Sequence, residues 1–159
     1  MSQTTETIEP RMAHPAMVVP GAMEALQALA GASAKAGLPE STIELVHLRA
    51  SQLNGCSVCI EMHATALRRG GAAPERIWTV AAWREAPYFD PAERAALALT
   101  EAMTRLADRS DPVPDEVWEE AARHYDETTL AALTLAIANI NVWNRLNVAT
   151  RQPAGVWRG

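Results

Sequence analysis

The segment DETTLAALTLAIANINVWNRLNVATR, residues 126–151, constrains the fold more than any other. It reads as one long helix whose first part is apolar nearly all round. Such a helix has no face to offer water, so it must be buried, either in a core or between subunits. The rest of the chain supplies helices to cover it. Alanine is abundant, and apolar positions after residue 20 recur at helical spacing. β-branched and aromatic residues are too sparse, and alternate too rarely, to suggest strands. The expectation is an all-α chain with about six or seven helices. Its 159 residues make a single domain, 1–159, with no repeat, low-complexity tract or internal linker.

The breaks between helices are legible. Around Gly37 to Thr42 one helix ends and another starts, with Ser41 and Glu44 spaced as a capping box. Asn54-Gly55 stops that helix, because glycine readily takes the left-handed conformation past a C-terminus. A further helix begins at or near Cys56 and runs to about Arg69, where Gly70-Gly71 ends it. Another starts at about Pro74, at an early position where the missing N–H does no harm. In FDPAERAALALTEAMTRLADR, Asp90 can cap, Pro91 sits in the first turn and Glu93 completes a box, with Leu97, Met103 and Leu106 on the apolar face. A short helix follows the two prolines of SDPVPDEVWEEAARHY.

Bulk properties exclude several partners. A net charge of −5 and a pI near 5.4 offer no basic surface to nucleic acid. The N-terminal MSQTTETIEPRM is polar and contains acids, unlike a secretory signal, and no apolar run is long enough to span a bilayer. A cytoplasmic location is the expectation, with neither membrane nor nucleic acid as partner. In a reducing compartment a C-x-x-C is more often catalytic or metal-binding than a structural staple.

Both cysteines of the chain lie in NGCSVCIEMH, Asn54 to His63. At i and i+3 of a helix their Cα atoms are roughly 5 Å apart, inside the window for an unstrained disulfide. The pair can therefore open and close with little backbone movement. Unpaired N–H groups and the dipole at a helix start favour a thiolate. His63 follows Cys59 by four residues, so its imidazole can accept the Cys59 proton directly or through a water. Glu44, on the preceding helix, is the candidate to orient His63 or carry the proton onward, and His47, one turn from Glu44, could face the same site or solvent. Two rival readings accompany this one. The cysteines could be inert small hydrophobes, or Cys56, Cys59, His63 and Glu44 could hold zinc, although no second C-x-x-C or H-x-x-x-H follows. A thioredoxin-like fold is excluded, because no strand precedes Cys56.

The stretch ELVHLRASQLNGCSVCIEMHATALRRGG, from Glu44 to Gly71, strongly resembles the core motif of the AhpD-like alkylhydroperoxidases, within the carboxymuconolactone decarboxylase superfamily. FDPAERAALALTEAMTRL and INVWNRLNVATRQPAG look like the same family, so the resemblance covers nearly the whole chain. It implies a small all-helical fold assembling as a homo-oligomer, commonly a trimer or hexamer. It also implies reduction of a peroxide substrate by the dithiol, with no metal, haem or other cofactor, and restoration of the pair by an external dithiol such as a lipoyl- or thioredoxin-like reductant. By the same resemblance Cys59 is the peroxidatic and Cys56 the resolving cysteine, with His63 and Glu44 in the proton relay. A simple dipole argument would instead favour Cys56, which lies nearer the helix start. The best-known members carry a further histidine beside the second cysteine, where this chain has Val58, which implies a shorter relay. The decarboxylase branch lacks the C-x-x-C, so a lactone reaction is not expected.

Asn141, Asn144 and Arg145 fall within one or two turns of the last helix, either as a polar lining or subunit contact or as solvated helix-end residues. Trp78, Trp83, Trp118, Trp143 and Trp157 are expected as core or interface anchors. His14 and His124 lie outside any constellation, and the first dozen residues are expected to be mobile unless a neighbouring subunit orders them. Two other functions fit the same fold: a redox sensor or disulfide-exchange partner with little turnover, and a non-catalytic oligomeric binding protein.

Overall fold

Helix α8, Glu127–Thr150, is the longest element of the computed structural model, which describes residues 8–155. Before it come α1 (Pro15–Val18), α2 (Ala22–Lys35), α3 (Glu40–Asn54), α4 (Ser57–Arg69), α5 (Pro74–Trp78), α6 (Pro91–Thr104) and α7 (Asp115–His124). Two short 3-10 turns, Val80–Ala82 and Leu106–Asp108, complete the order. Among the described residues there is no strand, so the all-α expectation holds. The helix beyond the six or seven expected is α1, a single turn capped by His14, whose Nδ1 accepts the Ala16 N–H at 3.1 Å.

Helix α3 is central because it buries two sides. Val46 joins Leu99, Leu133 and Ile137 in a cluster between α3, α6 and α8. Leu45 and Leu48 turn the other way, onto Leu67, Val80, Trp83, Phe89 and Leu97. Helix α8 packs on α2, α3 and α6. Its burial is one-sided, however: Leu130, Leu133, Ile137 and Ile140 are buried, while Leu135, Val142 and Val148 are 40–46% exposed. The inward face takes Asn139, Asn141, Asn144 and Asn147 as well. Among the described residues no helix is long and apolar enough to cross a membrane.

Most boundaries fall where the sequence sets them. Gly55 ends α3 at φ 69°, in the left-handed region that favours glycine. Asp90 and Glu93 form the expected capping box, with Pro91 in the first turn. The expected box at Ser41 and Glu44 does not form. Helix α3 begins at Glu40 after Pro39, with no side-chain cap, so Ser41 is already inside the helix and Glu44 lies beyond its first turn. Leu106 is the other correction: α6 ends at Thr104, and Leu106 sits in the following 3-10 turn, exposed. Of the first dozen residues, 1–7 lie outside the described residues, and Arg11 is tied to the end of α8 through its N–H to the Thr150 carbonyl at 2.9 Å.

Leu133→Ala is expected to lower unfolding free energy by about 2–5 kcal/mol, the usual loss for a buried leucine. Leu135→Ala, two residues along the same helix but exposed, should change it by less than about 0.5 kcal/mol. Urea or thermal denaturation of the pair checks which side of α8 carries the core.

Candidate active site

The two thiol positions are fixed by the way α3 hands over to α4. Gly55 turns the chain, and Cys56 takes the N-cap position of α4 with extended backbone (φ −85°, ψ 96°). Its sulfur does what a serine or aspartate oxygen usually does at that position: it accepts the Cys59 N–H, at 3.4 Å. The helix therefore starts one residue after Cys56, and Cys59 is on its first turn. The two cysteines are joined as a disulfide with Cα atoms 5.3 Å apart, in agreement with the helical spacing. Both are buried. Each sulfur has its own donor, because Asn147 of α8 directs its Nδ2 at the Cys59 sulfur, 3.3 Å away.

Glu44 crosses from α3 to α4 and meets His63, with Oε2 2.7 Å from Nδ1. With the Ser41 capping box absent, its carboxylate is free for this contact. The pair is mostly shielded, with 19% of the Glu44 and 15% of the His63 side chain exposed. Structure thus brings Glu44 and His63 into direct contact, and puts His63 one helical turn after Cys59 on α4. His47 faces the same site and not solvent. Its ring meets that of His63 edge-on, centroids 4.7 Å apart. Burial, reinforced by the charge His63 can carry, pushes the His47 imidazole down to about 3, against a smaller pull from the Ala136 carbonyl. His47 is therefore neutral at ordinary pH. The Cys-containing zinc set does not assemble: the one cluster of metal-ligating side chains among the described residues is Glu44, His47 and His63, without either sulfur.

Asparagines of α8 lock this junction. Asn54, at the end of α3, donates to Asn141 Oδ1 at 3.0 Å and to Asn144 Oδ1 at 2.9 Å. Asn144, fully buried, donates in turn to Ser51 Oγ at 3.0 Å. Asn141 donates to Thr104 Oγ1 and receives Arg145, both at 3.1 Å. The solvated helix-end reading of Asn141 and Asn144 is thereby corrected, while Arg145 remains exposed. Sequence reasoning missed Asn147 and His14. The signal for Asn147 was the run of asparagines at 141, 144 and 147, three apart on one side of an apolar helix. His14 is buried against Trp143 and beside Asn147; burial lowers its pKa and Asn147 partly offsets this. No local spacing links His14 to residues more than a hundred positions away. His124 stays outside the site, 3.0 Å from Glu120. Trp83 is a core anchor bonded to Glu101, Trp78 and Trp118 are exposed in this chain, and Trp157 lies outside the described residues.

The depressed His47 pKa has a consequence for stability. Its folded value, about 3, lies below the ordinary 6.5, so between those values the unfolded chain binds the extra proton. The contribution is fully present above pH 6.5 and is lost as pH falls toward 3, on the order of a few kcal/mol in all. Wild type should lose melting temperature between pH 7 and 4 more steeply than His47→Leu; equal slopes would remove His47 as the cause.

Comparisons with known proteins agree with this fold. The carboxymuconolactone decarboxylase family pattern matches residues 20–102. The uncharacterized protein YdfG of Bacillus subtilis is 36% identical over 132 residues, 83% of this chain and 88% of that protein. A crystal structure from Agrobacterium tumefaciens, of a protein of unknown function proposed to be the antioxidant defence protein AhpD, superposes with a TM-score of 0.85 at 34% identity, covering 94% of this chain and 100% of that one. An uncharacterized peroxidase-related protein from Silicibacter shares the fold, with a TM-score of 0.74 at 21% identity over 87% of this chain and 73% of its own. A buried C-x-x-C beside a carboxylate–imidazole pair, on an all-helical scaffold of AhpD type, is consistent with redox chemistry, and the chain belongs to the carboxymuconolactone decarboxylase family.

Proposed function

We propose that the chain is a cysteine-based peroxidase, reducing organic hydroperoxides or hydrogen peroxide through a Cys56–Cys59 dithiol/disulfide cycle. The observation that carries the proposal is the 2.7 Å contact between Glu44 and His63, placed one helical turn beyond a cysteine whose sulfur receives a buried amide N–H. In the reduced protein the Cys59 thiolate attacks the terminal peroxide oxygen. The O–O bond breaks, His63 or a water supplies the proton to the leaving alkoxide, and Cys59 becomes a sulfenic acid. The Cys56 thiol condenses with it, releasing water and closing the disulfide. An external dithiol then reduces the bond through a mixed disulfide and is itself oxidised.

The choice of Cys59 rests on its donors. Cys56 has a backbone N–H and the helix start in its favour, as the dipole argument holds. Cys59 has the Asn147 amide on its sulfur and a histidine one turn on, which can take its proton. Asn147 is thus a candidate catalytic residue, stabilising the Cys59 thiolate both as nucleophile and as leaving group. A pocket of about 210 Å³ between Gly55, Cys56, Ser57, Asn147, Arg151 and Pro153 reaches the Cys56 side of the pair. An incoming dithiol attacking Cys56 would expel Cys59 toward Asn147. The exposed Leu135, Val142 and Val148 stripe of α8 supports assembly with further copies of the chain.

The test is peroxide consumption with a dithiol reductant. Wild type should turn over, Cys59→Ser should lose all turnover, and Cys56→Ser, offered peroxide without reductant, should react once and stop at the sulfenic acid. Asn147→Ala should raise the Cys59 pKa and slow turnover about tenfold, the scale of one charge-assisted hydrogen bond; alkylation rate against pH reads that shift independently. No turnover by wild type, with the disulfide still cycling, would sink the peroxidase reading in favour of disulfide exchange or sensing. Light scattering should find an oligomer, and Val142→Glu should shift it toward smaller species.

A further inference from the structure

His47 has no part in the dithiol cycle, yet its surroundings are unusual. Both ring nitrogens are shut off from solvent, and neither has a hydrogen-bond partner, although the Ala136 carbonyl faces the ring. An unpaired buried imidazole calls for a reason. The ring stands edge-on to His63, and ligand atoms of Glu44, His47 and His63 all lie within 4.8 Å of one another. We propose that Glu44, His47 and His63 form a binding site for a divalent transition-metal ion of the zinc class.

The donor set fits. Two imidazoles and one carboxylate hold zinc with a fourth position open to water. Ligands at roughly 2.0–2.1 Å from a tetrahedral ion lie about 3.3 Å from each other, so side-chain rotation closes the three groups onto an ion. A metal-bound histidine usually has an acceptor for its other ring N–H, and the Ala136 carbonyl, which faces the ring without a hydrogen bond in this structure, is at hand for that part. A cavity of about 440 Å³ between α2, α3 and α8 reaches Glu44 and His47. Glu40 on its wall adds negative charge, and Asn139, whose buried amide oxygen has no hydrogen-bond partner, is among the residues lining it. An ion so held takes Glu44 and His63 out of proton transfer and would inhibit turnover; this consequence, unlike the site itself, rests on the peroxidase reading.

The experiment uses the full chain with its disulfide intact, so that neither thiol can ligate and no turnover occurs. After chelator treatment it is titrated with Co²⁺, followed by visible absorption, and with Zn²⁺ against a chromophoric chelator. One ion per chain is expected, with affinity at least tenfold lower in His47→Ala and in Glu44→Gln, and unchanged in the Cys56→Ser, Cys59→Ser double variant. Zn²⁺ should raise the melting temperature of wild type and leave that of His47→Ala unmoved, with circular dichroism showing both folded. The absence of stoichiometric binding overturns the site, as does equal affinity in His47→Ala or loss of binding in the double serine variant. Because binding is read in oxidised protein, its failure is distinct from a failure of peroxidase turnover.

Discussion

The handover from α3 to α4 depends on amide hydrogen bonds exchanged between α3 and α8. Asn144 is fully buried and is satisfied only if Asn54 and Ser51 of α3 stand where they do. A buried amide left half-paired costs free energy on the order of 1–3 kcal/mol. Sliding α8 by one turn against α3 would leave several unpaired at once. Apolar contacts alone tolerate such slips far better, because one leucine resembles the next. The asparagines therefore set the register, and the register delivers Asn147 to Cys59. Specificity of placement, more than stability, is what these buried polar groups supply.

Placement matters because the candidate site draws its groups from three helices. Cys59 and His63 share α4 and Cys56 caps it, so one helix and its first turn relate all three. Glu44 belongs to α3 and Asn147 to α8, and their contacts exist only in the packed protein. The hydrophobic clusters on either side of α3 hold this triangle from behind, with Val46 facing one and Leu45 and Leu48 the other. Helix α8, for its part, leaves Leu135, Val142 and Val148 exposed on its other side.

What the sequence disclosed was local. Gly55, the Asp90–Glu93 box and the C-x-x-C spacing each involve residues within four positions, and each appears as the spacing requires. The Ser41–Glu44 spacing misled because two needs compete for one carboxylate. Pro39 starts the helix early, which places Glu44 past the cap and leaves it to His63, nineteen positions on. Leu106 misled because helical spacing continues on paper after α6 has ended. His14 was illegible for another reason: its neighbours Trp143 and Asn147 lie more than a hundred positions away. Asn147 left a trace in the three-residue spacing of Asn141, Asn144 and Asn147, but no periodicity records which helix it meets, and Cys59 lies 88 positions away.

The disulfide joins residues only three apart. Closing so small a loop removes little conformational entropy from the unfolded chain, about 2 kcal/mol on the chain-entropy model. A bridge between distant segments would make the reduced form a substantially weaker fold. Here folding favours the closed bridge by about 2 kcal/mol, roughly thirtyfold in the redox equilibrium, which is less than half of what a hundred-residue loop would contribute. The immediate surroundings of the pair, the Cys59 N–H, the Asn147 amide and the helix start, act on the potential alongside that contribution.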